Sequence, residues 1–114
     1  MQHQRWRFNF AELKQEVDFL ILYGSILHSP KEAGDIDIIG VAPNEKKLAK
    51  FSDKILKAQE TQAKKIHSIN LTQKEFKQEL KRPNKAYAEA VKKGVILFGQ
   101  ENFIKFIKGL QKWQ

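Results

Sequence analysis

Two carboxylates two residues apart, Asp35 and Asp37, and a Gly-Ser pair, Gly24 and Ser25, are the residues of this 114-residue chain whose types and spacing suit chemistry. On a strand, side chains two apart share a face, so Asp35 and Asp37 project together while Ile36 and Ile38 turn to the other side. Like charges that close repel unless a cation lies between them. Hard oxygen donors of this kind fit Mg2+, or Mn2+, carrying the phosphates of a nucleotide. Gly24 lets the backbone turn sharply and approach a ligand closely. Ser25 then reads as the N-cap of a short helix whose free N–H groups and positive dipole end suit a phosphate.

These residues need two strands to position them. Phe19 to Tyr23 is a continuous apolar run of strand length that delivers Gly24, and Asp35 to Val41 is a second such run. Phe10, Leu13 and Val17 recur at helical spacing after a capping Asn9, which predicts a short amphipathic helix leading into the first strand. After Pro43, Asn44 caps a predicted helix to about Thr61, with Leu48, Phe51, Ile55 and Leu56 on one face. Ile66 to Leu71 gives a third strand. Thr72 and Glu75 form a capping box for a helix to about Lys81, interrupted by Pro83. A further helix runs from about Asn84 to Lys93 with Gly94 past its end, then Val95 to Phe98 makes a short strand closed by Gly99. The last segment, Glu101 to Trp113, places Phe103, Phe106, Ile107, Leu110 and Trp113 along one stripe.

An apolar strand, Gly24-Ser25, nine intervening residues and then Asp35-Ile36-Asp37 resembles the signature of the nucleotidyltransferase superfamily that includes DNA polymerase beta, most closely its minimal, stand-alone members. The resemblance implies an α+β fold of the polymerase beta palm type, a small mixed sheet with helices packed mainly on one face. It also implies Mg-dependent transfer of a nucleoside monophosphate from a nucleoside triphosphate such as ATP to a hydroxyl, with Gly24 and Ser25 holding phosphates and Asp35 and Asp37 holding the metal. Minimal relatives often act beside a small helical partner protein as toxin and antitoxin, the enzyme modifying its partner.

The chain departs from that pattern in three places. Leu27, His28 and Ser29 stand where such members carry Ala-Arg-Gly, and Gly34 stands where Ser often precedes the first Asp. The third carboxylate usually supplied by the next strand is absent from Lys64 to Leu71, where Asn70, or else Ser68, is expected to take its place on the face that meets the two Asp. An Asn is neutral. Nucleotide and one metal would then bind while transfer is slow or lost, which leaves a binding or interaction module as the alternative.

Composition sets the bounds. The length fits one domain, without room for a separate acceptor-binding domain, so a second chain is expected to help hold the acceptor. A hydrophobic fraction of 41% argues a folded core, and no apolar run approaches membrane-spanning length. The first residues lack the apolar core of a signal peptide, so the expected location is cytoplasmic with no membrane contact. The chain has no Cys, which excludes disulfides and thiolate metal sites. Its net charge of +8, from 21 Lys and Arg against 13 acidic residues, favours polyanions and leaves nucleic acid open as a partner. The apolar C-terminal stripe suits completion of the core or a homodimer contact. His28 and Lys31 lie in the loop beside the phosphate site, the latter a partner for a triphosphate. Tyr87 reads as packing, with a hydroxyl that can accept a nucleotidyl group. His3 and His67 have no metal-ligand spacing with His28. Arg5, Trp6, Arg7 and Phe8 mix basic and aromatic character that suits either stacking on bases or packing at the domain edge.

Overall fold

Phe19–Tyr23, expected as a strand, forms β1, whose first four side chains are buried and which has a neighbour along each edge. The computed structural model describes residues 10–82 and 84–111. Readings that rest on Asn9, Pro83, Trp113 and the first nine residues lie outside them. Among the described residues four strands form one mixed sheet in the order β3-β2-β1-β4, with β2 at Asp35–Ala42, β3 at Lys65–Thr72 and β4 at Val95–Phe98. β1 runs antiparallel to β2 and β4, and β2 runs parallel to β3. Four helices complete this α+β fold: α1 Glu45–Gln59, α2 Gln73–Leu80, α3 Lys85–Lys93 and α4 Gln100–Gln111. None of them is long and apolar enough to cross a membrane.

Alternation along β1 and β2 divides the core between two faces. Leu20, Leu22, Ile36 and Ile38 meet Phe51 and Ile55 of α1 on one face. Phe19, Ile21, Ile39 and Val41 meet Phe76 of α2, Ala90 of α3 and Phe106 of α4 on the other. Three helices therefore share one face and α1 covers the opposite one. The three-helix face is held by rings: Phe19 lies edge-on to Phe103 at 5.3 Å between centroids, and Phe76 stacks on Phe106 at 5.3 Å. Contacts of this kind add about 0.5–1.5 kcal/mol each beyond the area they bury.

Helix starts follow their capping residues. Asn44 Oδ1 accepts from the Lys47 N–H at 2.9 Å, and Thr72 exchanges hydrogen bonds with Glu75 in the predicted capping box. Asn84 Oδ1 accepts from Ala86 N–H at 3.0 Å. Leu56, expected on the same face of α1 as Phe51 and Ile55, is 69% exposed, and two further local expectations fail. Only Phe10–Leu13 of the helix expected over 10–17 is helical, as a 3-10 turn. Lys54 Nζ donates at 2.9 Å to the carbonyl of Glu12, which a continuing helix would have paired with the N–H of Glu16, and Lys47 Nζ donates to that of Gln15 at 3.1 Å. Both lysines also face the buried Glu16 carboxylate, at 3.3 Å for Lys54 and 3.9 Å for Lys47. The second failure is Ser25. It is not a cap: Ser25–Leu27 is a single 3-10 turn with Gly24 in the cap position and no side-chain hydrogen bond there.

α1 packs tightly on β2 at Gly40, where an added Cβ would lie 2.4 Å from the Phe51 ring. Gly40→Ala is expected to lower stability by about 1–3 kcal/mol, the usual cost of overfilling a packed core, as measured by urea unfolding. A stability within experimental error of the parent would show that α1 can shift away from the sheet without penalty.

Candidate functional site

The turn after β1 and the start of β2 meet at one contact. Gly24 has φ +85°, a conformation that side chains rarely adopt, and a Cβ there would lie 2.5 Å from Asp37 Oδ2. Glycine is thus required twice, by the backbone angle and by the carboxylate pressed against its Cα. The antiparallel register pairs Tyr23 with Asp37, which puts the phenol and the carboxylate on the same face. Asp35 shares that face, and the side chains of Asp35 and Asp37 are 44% and 24% exposed, so both can be reached from solvent. The two expected carboxylates and the glycine are therefore brought together. Ser25, itself exposed, follows in the 3-10 turn, but a three-residue turn carries too little aligned backbone to act as a helix N-terminus.

β3 supplies a different neighbour from the one expected. Parallel pairing sets Asp35 opposite Lys65, Asp37 opposite His67 and Gly40 opposite Asn70. His67 shares the carboxylates' face, with its Nδ1 3.4 Å from Asp37 Oδ1 and 3.6 Å from Asp35 Oδ2. Ser68 and Asn70 point the other way. Ser68 donates to Asn70 Oδ1, and Asn70 Nδ2 donates to Ser52 Oγ of α1 at 2.9 Å. Asn70 and Ser68 are therefore removed from the site: they tie β3 to α1, and the position beside the two Asp belongs to His67. The reason is parity. β3 carries apolar side chains toward both faces, Ile66 to one and Ile69 and Leu71 to the other, so its alternation alone does not say which set meets Asp35 and Asp37. The ladder with β2 decides it. Among the described residues no group of three or more His, Cys, Asp or Glu is arranged to hold a metal ion.

The remaining candidates divide. His28 is exposed and lines a cavity with Gly24, whereas Lys31 lies in the loop 28–32 beyond it. Tyr87 packs in the three-helix core, its ring 6.1 Å from that of Phe76, in agreement with the packing reading. No family model, no curated protein and no solved structure matches this chain.

Tyr23 reports on this site electrostatically. Burial pushes its pKa above the ordinary value, and the negative charge of Asp37 and the neighbouring Tyr87 push it further the same way. Tyr87 is also raised, first by burial and then by Glu79. These are the two tyrosines of the chain, so their titration is directly readable. A group whose folded pKa lies above its unfolded value favours folding below the unfolded pKa and loses that contribution as pH rises through the folded one, so stability should fall as pH rises beyond about 10. Followed by tyrosinate absorbance, both groups are expected to ionise later than free tyrosine, and Asp37→Asn to bring one of them partway back. A midpoint unmoved by Asp37→Asn would separate Tyr23 from the carboxylate.

Proposed function

We propose that this chain is a minimal nucleotidyltransferase domain with a polymerase beta palm-like fold, transferring a nucleoside monophosphate from a nucleoside triphosphate, ATP foremost, to a hydroxyl. What carries the reading is one observation: the β1–β2 pairing sets the glycine of the Gly-Ser pair so close to the second Asp of the Asp-x-Asp pair, thirteen positions on in sequence, that a Cβ added at Gly24 would lie 2.5 Å from Asp37 Oδ2. Pairing in this register would bring any two residues at these places together; what supports the reading is that they are a glycine held at φ +85° and a carboxylate that solvent reaches.

The donor set fits Mg2+ or Mn2+. Mg2+ is commonly held by one or two carboxylates with phosphate oxygens and water filling its other positions, so Asp35 and Asp37 suffice as protein ligands once a nucleotide is present. When bound, the ion supplies neutralisation of phosphate charge and activation of the attacking hydroxyl. The chain's own part is placement. Gly24, without a side chain, admits phosphate oxygens next to Asp37, and the exposed Ser25 hydroxyl is available to them. The acceptor oxygen bonds to the α-phosphorus as the bond to the departing pyrophosphate breaks. A second chain brings that hydroxyl, either a small helical partner, as in toxin and antitoxin pairs, or a second copy of this one, and the setting is cytoplasmic.

His67 favours a second reading from the same residues. The β3 side chain beside the two Asp, where the proposed reading would want a third carboxylate, is an imidazole, which brings no negative charge. A palm domain that binds nucleotide and metal while transferring slowly, and works through association, accommodates that replacement.

Titration of the protein with ATP, with and without Mg2+ or Mn2+, tests the assignment. Metal-dependent binding is expected in the parent and its loss in the Asp35→Asn/Asp37→Asn double variant, and undiminished binding in that variant would sink the site. His67→Asp places a third carboxylate beside the other two and is expected to tighten Mg2+ binding by about tenfold, whereas Asn70→Asp, on the opposite face, is expected to leave it unchanged. Calorimetry with Mg2+ in the presence of ATP distinguishes them, and the reverse order of effects would return Asn70 to the site.

A further inference from the structure

Beside the Gly24 turn, between the end of β1 and α3, lies a cavity of about 360 Å³. Tyr23, Leu27 and His28 line it on one side and Ala86, Glu89 and Lys93 on the other. Gly24 belongs to the wall of this cavity as well as to the contact with Asp37. A ligand whose phosphates lie at Gly24 and Asp37 therefore has the cavity within reach of its other end.

The lining suits the part of a nucleotide that is not phosphate. Tyr23 and Leu27 give an apolar surface, and Ala86 and the buried Ala90, four residues apart on α3, keep the helix side low enough to leave a slot. A small, largely apolar recess with a few polar groups is the usual form of a small-molecule site, and its size suits a nucleoside rather than a length of polypeptide. Glu89 and Lys93 are both exposed at the cavity, and neither has an ion-pair partner among the described residues. They are free to meet polar edges of a base and sugar.

We propose, resting on the function given above, that this cavity receives the nucleoside end of the triphosphate, so that the α3 wall reads base and sugar while Gly24 and a metal held by Asp35 and Asp37 would take the phosphates. Ala86 is then the residue that decides whether a nucleoside can enter. It is exposed, so a larger side chain there fills the slot without entering the core.

The experiment compares ATP with inorganic tripolyphosphate, both in Mg2+, by calorimetry on the parent, Ala86→Leu and Asp35→Asn/Asp37→Asn. The parent is expected to prefer ATP. Ala86→Leu is expected to weaken ATP by about tenfold, the usual cost of excess bulk in a fitted pocket, and to leave tripolyphosphate unchanged. Ala86→Met serves if the Leu variant does not fold. Equal affinity of the parent for the two ligands overturns the proposal, as does an Ala86 variant that keeps its ATP affinity or loses both ligands together. The function itself fails by a different result: tripolyphosphate binding that survives in the double Asn variant, or no metal-dependent binding of either ligand by the parent, removes the phosphate site and the nucleoside cavity with it.

Discussion

The antiparallel ladder between β1 and β2 is the constraint on which the rest of this structure depends. Its register pairs Phe19 with Val41 and Tyr23 with Asp37, which buries an apolar surface on each face of the sheet and leaves the polar ends of both strands together. One face collects α1 through Phe51 and Ile55, the other collects α2, α3 and α4 through Phe76, Ala90 and Phe106. The same pairing that fills the core therefore aligns Gly24 with Asp37. A shift of one residue along the ladder would carry every side chain of the shifted strand to the opposite face, out of the packing it now fills, so the core holds the site in register.

Much of this was legible in the chain. β1 and β4 run over the residues expected of them, and the starts of α1, α2 and α3 fall at Asn44, Thr72 and Asn84, because a capping side chain satisfies specific backbone donors and leaves a local mark. The shared face of Asp35 and Asp37 was legible for the same kind of reason, since strand geometry fixes it without reference to any other element. What was not legible depended on partners distant in sequence. The 3-10 turn at Phe10–Leu13 stops short where Lys54, on a helix that comes after two strands, takes the carbonyl of Glu12. The exchange of Asn70 for His67 depends on the pairing of β3 with β2, and a strand with isoleucines toward both faces does not announce its orientation.

The three-sided arrangement of Asp35, Asp37 and His67 also has an electrostatic logic. Two carboxylates on one face of a strand repel, and an imidazole placed 3.4 and 3.6 Å from them relieves that repulsion when it carries a proton. Tyr23 lies on the neutral side of the same balance, with burial and Asp37 both opposing its ionisation. The site thus combines charged groups that solvent reaches with a phenol kept neutral by the core behind it.

The segment between α1 and β3 is tied at its ends, where Gln59 Nε2 donates to the Lys64 carbonyl at 3.1 Å and the Ile66 N–H donates to Gln59 Oε1 at 2.7 Å. Residues 60–64 are mostly exposed, and Ile66 is locked into the α1 face while Ile69 and Leu71 are locked into the other. An insertion or deletion there would be taken up as slack in the loop, because sliding the strand by one residue would carry all three apolar side chains to the opposite face and out of their present packing. Which side chain of β3 faces the carboxylates is therefore insulated from loop length. In an evolving lineage the chemistry at that position changes by substitution at residue 67, and drift in the preceding connection leaves it untouched.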